Sequence, residues 1–205
     1  MQNSYFQSLS VSLVPACKTL RSNPVAVCLP LILLWCMSST SLTAMAQAPT
    51  QAKINPSQPQ AEVVGLYFTP PSDVAAAVIE VIDQSKIEVL VQAYGFTHNG
   101  IAQALLRAHA RGVSVKVLLD AKTDSSNRYV TDLLQAQQIP LRLDASHAIA
   151  HNKVIVVDAE LVITGSFNFT NSAQTRNAEN LLVLKSVGLA DSYKANWQTH
   201  WNHSR

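Results

Sequence analysis

From Glu62 onward the hydrophobic positions fall into short runs whose period switches between two and about 3.6 residues. EVVGLYF (62–68) has the length and β-branched content of a strand. Pro70-Pro71-Ser72-Asp73 then supplies a helix start for VAAAVIEVIDQ, with Pro71 or Ser72 expected near the cap. IEVLVQAYGF (87–96) is a nearly continuous apolar run, as expected of a strand buried on both faces. Asn99 opens a helix in which Ile101, Leu105 and Ala108 share one stripe, and Gly112 stops it. VSVKVLLD predicts a third strand, NRYVTDLLQAQ a third helix and PLRLD a short strand. KVIVVD (153–158) and LVITGS (161–166) are strands joined by Ala159-Glu160, a hairpin-length connection. LLVLK (181–185) adds a strand, and VGLADSYKANWQTHW closes the chain as a helix. This alternation predicts an α/β domain over residues 62–205, a mixed β-sheet flanked by helices, with no internal repeat.

The first 61 residues have a different texture. Lys18 and Arg21 precede an uncharged run from Pro24 to Met37, a Ser/Thr-rich stretch and Ala44-Met45-Ala46. That order is what a secretory signal peptide requires, with cleavage after Ala46; an uncleaved anchor is the rival, since no charge falls between Arg21 and Lys53. Trp35 argues against lipoprotein processing at Cys36. Residues 47–61, rich in Pro, Gln and Ala, are expected to form a flexible linker. All three cysteines (Cys17, Cys28 and Cys36) lie in the leader, so the expected mature chain has no disulfide, thiol nucleophile or cysteine metal site. Of 15 basic residues the leader holds Lys18 and Arg21, and it holds none of the 13 acidic ones, so the mature chain is balanced at 13 of each. A long basic surface for nucleic acid is therefore not supported, and attraction for phosphate has to be local.

Candidate chemistry is concentrated between His147 and Asn180. If Val154 and Val156 face one side of their strand, Lys153, Ile155 and Val157 face the other, and His151 projects with Lys153. Across the hairpin Ser166 and Asn168 are also two apart. An imidazole, an ammonium, a hydroxyl and an amide can thus gather around one phosphate: a cation and neutral donors for its oxygens, and a nucleophile facing phosphorus. Singly, each residue is ordinary: a structural histidine, an edge lysine, a turn aspartate at Asp158.

Together, His151-x-Lys153, then Asp158, then Gly165-Ser166-x-Asn168 resembles the motif of the phospholipase D superfamily, and the text from Val63 to Trp201 is most similar to its small, single-motif, EDTA-resistant bacterial endonucleases. The resemblance implies the phospholipase D/nuclease fold and a metal-independent, two-step phosphodiesterase. His151 would form a phosphohistidine while a second histidine protonates the leaving oxygen. Lys153 and Asn168, with Ser166 nearby, would hold the non-bridging oxygens. Glu179 resembles the acidic partner that orients the nucleophile, and Asp158 belongs to the motif with a structural part expected. No cofactor or metal is implied. Larger members carry two motifs per chain and this one carries one, so a homodimeric active site is expected, with His151 of each copy on opposite sides of one phosphate.

The remaining histidines take plainer expectations. His147 and His151 lack a third metal ligand; His200 and His203 are expected to cap the last helix beside the packing residues Trp197 and Trp201; His98 and His109 are expected at the surface. Arg107, Arg111, Lys122 and Arg128 could line a groove for a polyanion, with a solvated face as the simpler description. Three functions compete: a nuclease on DNA or RNA, a phospholipase acting on envelope lipid, and a silent binding module, which would not need His151, Lys153, Asn168 and Glu179 together. Absence of a long apolar lid favours the nuclease; the balanced charge tempers it. The leader predicts a periplasmic or secreted protein. Mass spectrometry of the protein expressed in a bacterial host should show an N-terminus at or near Gln47, and full-length protein in the cytoplasm would refute export.

Overall fold

The computed structural model describes residues 58–205; the leader and most of the expected linker lie outside the described residues. Seven strands and five helices follow in the order β1 (Glu62–Thr69), α1 (Val74–Gln84), β2 (Glu88–Ala93), α2 (Asn99–Ala110), β3 (Ser114–Asp120), α3 (Asp124–Ala136), β4 (Leu141–Asp144), β5 (Lys153–Val157), β6 (Leu161–Gly165), α4 (Asn171–Thr175), β7 (Glu179–Lys185) and α5 (Val187–His203). The strands form one sheet in the order β1-β7-β6-β5-β2-β3-β4. β2, β3 and β4 run parallel, as their crossovers through α2 and α3 require, and every other pairing is antiparallel. The sheet is mixed and flanked by helices on both faces.

Alternation along β5 divides the interior in two. Ile155 and Val157 face a large core with Val78, Ile82, Phe96, Leu105 and Leu134 from the side of α1, α2 and α3. Val154 and Val156 face a smaller one with Leu90, Leu118, Val162, Ala190 and Trp197, closed by α5. Trp197 is fully buried and donates its indole N–H to the Val91 carbonyl at 2.9 Å, so α5 is tied to the sheet centre by area and by direction.

Several boundaries differ from the sequence expectation, each for a visible reason. Asp73, rather than Pro71 or Ser72, caps α1, its carboxylate accepting from the Ala76 N–H at 3.0 Å. His98 is not a free surface residue but the cap of α2: its Nδ1 accepts from the Ile101 N–H at 3.3 Å, and burial holds its pKa below the ordinary histidine value against the opposing charge of Asp73. α3 starts earlier than Asn127, behind a short 3₁₀ turn at Ala121–Thr123. The single-turn helix α4, capped by the Thr170 hydroxyl, is too short at five residues to show a period in the sequence. Gly112 ends α2 with a φ of 88°, and Asp158 and Ala159 adopt φ values of 54° and 52° in the β5–β6 turn.

The Asp158 carboxylate fixes the register of β5. Its oxygens accept from the backbone N–H groups of Lys86 (2.9 Å), Ile87 (2.8 Å) and Glu88 (2.9 Å), tying the end of β5 to the start of β2. Asp158→Ala leaves three donors without this acceptor, two of them exposed enough for water to replace it in part, and should cost about 2 kcal/mol in chemical denaturation. Asp158→Asn, which keeps one carbonyl acceptor, should cost less; an unchanged midpoint for Asp158→Ala would show that this anchor is dispensable.

Candidate active site

The C-terminal ends of β2, β3 and β4 lie at the same edge of the sheet as the start of β5, the end of β6 and the start of β7, because β5 pairs antiparallel to β2 with Lys153 opposite Ala93. This edge gathers His151, Lys153, Ser166, Asn168 and Glu179. Asp158 is at the other end of β5 and takes no part in the site.

Lys153 is the buried cation of this edge, only 8% exposed. Its ammonium donates to the His151 carbonyl at 3.0 Å and sits 5.5 Å from the centre of the Tyr94 ring. Burial pulls its pKa below the ordinary lysine value, while the charge of Glu179 opposes that shift. The His151 imidazole is exposed and stands edge-on to Tyr94, with ring centres 4.7 Å apart. Tyr94 is therefore common to the nucleophile candidate and the cation.

Two polar anchors hold this pair in place, and sequence reasoning missed both. Asn127 is fully buried: its Oδ1 accepts from the Phe96 N–H at 2.8 Å, and its Nδ2 donates to the Tyr94 carbonyl at 2.9 Å. Thr123 donates to the same carbonyl at 2.8 Å. Asp120, also buried, accepts from the Lys122 N–H at 2.8 Å and from the Ala150 N–H, directly before His151, at 2.6 Å. Both positions read as ordinary helix and strand-end residues in the sequence. Their donors and acceptors are backbone groups some thirty positions away, which no local pattern reveals.

Across the hairpin the Ser166 hydroxyl donates to Glu179 Oε2 at 2.6 Å and accepts from the Asn180 N–H at 3.0 Å. Asn177 donates to Glu179 Oε1 at 2.9 Å, so both carboxylate oxygens are engaged within this copy, and among the described residues none bonds His151. Gly165 permits the close approach of β6 and β7 that this needs, since a Cβ there would lie 2.3 Å from the Asn180 carbonyl oxygen. Asn168 keeps a buried Oδ1 with no hydrogen-bond partner among the described residues. This amide oxygen is an acceptor with unused capacity, open to a hydrogen-bond donor.

The basic residues suggested for a polyanion groove are otherwise engaged. Arg107 binds Asp83 through two bonds of 3.0 and 2.7 Å, and Arg111 donates to the Ile82 carbonyl at the end of α1 at 3.0 Å. Arg128 lies 3.7 Å from Asp124, and Lys122 donates to the Ala148 carbonyl. His200 and His203, expected to cap the last helix, instead surround Asp144 together with His147. Only the fold reveals this, because α5 returns beside β4 from 56 positions away.

Comparison with known proteins agrees with this geometry. Residues 78–201 match the family model described as "Cardiolipin synthase, PLD-like domain". The chain is 43% identical over 143 residues to a phospholipase D of Rickettsia bellii, covering 70% of this chain and 71% of that one. It is 30% identical over 118 residues to a mitochondrial cardiolipin hydrolase of Xenopus tropicalis, covering 58% and 55% respectively. Among solved structures it superposes on Nuc, a phospholipase D family member of Salmonella typhimurium, with a TM-score of 0.67 and 36% identity, covering 72% of this chain and 97% of that one.

Proposed function

We propose, from the premise that this chain belongs to the phospholipase D superfamily and is a phosphodiesterase, that it is an endonuclease hydrolysing DNA or RNA through a phosphohistidine on His151. The observation that carries the reading is the pairing of an exposed imidazole with a buried lysine across the Tyr94 ring. The imidazole is free to meet phosphorus; the ammonium, shielded from water, supplies a fixed positive charge for the non-bridging oxygens. In the first step a His151 nitrogen attacks phosphorus, a P–N bond forms, and the bond to the leaving oxygen breaks as that oxygen takes a proton. In the second, water attacks phosphorus, gives up its proton, and the P–N bond breaks to restore His151. Lys153 and the Asn168 amide N–H hold charge through both steps while Ser166 fixes Glu179, and no step calls for a metal at phosphorus.

The proton donor and acceptor is taken to be the partner subunit's His151, in a homodimer with one shared site. A single motif per chain supports this, as does the apolar face of β1, where Val64, Leu66 and Phe68 are 46%, 54% and 52% exposed and Phe68 pairs with Asn180, next to Glu179. The leader supports export of the activity to the periplasm or beyond. Nucleic acid is favoured as substrate by the exposed His151 and the short loops around it. A lipid phosphodiester is the second reading, favoured by the names of the Rickettsia and Xenopus relatives.

A substrate panel separates these readings. The purified protein, in millimolar EDTA at 25 °C, is expected to cleave plasmid DNA or RNA faster than vesicles of phosphatidylcholine or cardiolipin. Acid-free quenching during turnover should leave a phosphoryl adduct on the peptide containing His151. Lys153→Ala should lower the rate by roughly 10² or more. Hydrolysis of lipid alone would give the second reading. Total loss in EDTA, restored by magnesium, would overturn the mechanism.

A further inference from the structure

We propose that Asp144, His147, His200 and His203 form a closed structural site for one zinc ion, outside the catalytic edge residues. The four side chains each offer one ligand atom, and these atoms lie within 4.8 Å of one another. From Asp144 Oδ2 the distances are 2.8 Å to His200 Nδ1, 3.1 Å to His147 Nδ1 and 3.4 Å to His203 Nε2. Zinc bonds of about 2.0–2.1 Å at tetrahedral corners place ligand atoms about 3.3 Å apart, within the spread seen around this carboxylate. Three imidazoles and one carboxylate are a borderline-soft, four-ligand set that suits zinc and leaves no open position, as in structural rather than catalytic sites.

The surroundings are built for this use. The Asp144 side chain is fully buried, and its Oδ1 is occupied by the Ser146 N–H at 2.9 Å, which leaves Oδ2 facing the three rings. His200 and His203 stand at i and i+3, on one face of the last turn of α5. The ring centres of the three histidines are 4.8, 5.2 and 5.3 Å apart. Burial disfavours the charged carboxylate, but bonds from His200, the Ser146 N–H, His203 and His147 outweigh it and hold the pKa well below the usual range. His147 and His203 have side chains 45% and 33% exposed, which gives an ion a path in.

The site also has a place in the architecture. It joins the end of β4 to the end of α5 at the start of the loop that leads to His151. The far end of that loop is already held by the bond from the Ala150 N–H to Asp120. A bound ion would fix the near end, so the segment carrying His151 would be anchored at both ends without the ion touching phosphate.

The test is metal content, measured apart from activity. Tag-free full chain is stripped with chelator, dialysed against zinc, and analysed by inductively coupled plasma mass spectrometry and competition with a chromogenic chelator. One zinc per chain is expected, with a Tm raised by roughly 5–10 °C at a hundredfold excess of free zinc over Kd. Cobalt in its place should give the intense visible bands of a tetrahedral ion. His203→Ala and, separately, His147→Ala should each weaken zinc binding by at least about 100-fold, while His109→Ala, a histidine elsewhere on α2, should bind as the parent does. Should one ligand variant fail to fold, the other decides. Absence of stoichiometric zinc from the folded parent, or equal affinity in a folded ligand variant, would overturn the proposal and leave a hydrogen-bonded cluster only.

Discussion

The position of β5 in the sheet is the constraint on which the rest depends. It lies between β2 and β6, antiparallel to both, and its buried side chains reach both cores. A shift of one residue would exchange its two faces and turn Lys153 toward the α5 side. Two carboxylates guard against that slip. Asp158 holds the distal end through three backbone N–H groups, and Asp120 holds the proximal end through Ala150. The candidate site residues His151 and Lys153 are thus placed by carboxylates that lie outside the site.

The same arrangement explains how a buried ammonium is tolerated. Among the described residues no carboxylate is bonded to Lys153; it has a carbonyl, an aromatic face and the more distant charge of Glu179. A direct ion pair would neutralise the charge that substrate oxygens need. Glu179 is instead engaged by Ser166 and Asn177, which keeps it near enough to favour the charged lysine without capping it. An incompletely satisfied site, with Asn168 Oδ1 also unpartnered, costs stability locally and is sustained by the packed sheet beneath it.

Much of this was legible in the sequence, and what was not has a common cause. Strand and helix periods gave each long element, because β5 and β2 are continuous apolar runs and α2 carries an unbroken stripe. The motif from His151 to Asn168 could be read because its members are carried by one hairpin. By contrast, Asn127, Asp120 and the Asp144 cluster act across the topology on partners about thirty to sixty positions away. His98 looked superficial because capping depends on the backbone turn around it rather than on its neighbours' hydropathy. Asp158 belongs to the motif by resemblance with a structural part expected, and the length of β5 carries it to the opposite edge, where it binds backbone N–H groups.

The central claim is that one phosphate is worked on by His151 from two copies, and subunit mixing tests it most directly. Wild-type chains are exchanged with an equal amount of His151→Ala chains, and the exchange is verified by native mass spectrometry. A heterodimer retains one histidine at its single shared site and lacks the group that transfers the proton, a loss of roughly 10² to 10⁴ in rate. About one quarter of randomly paired dimers are then fully wild type, so activity relative to the same total of wild-type chain should fall to about a quarter. A value near one half would mean that each chain works alone, and the shared site would be wrong.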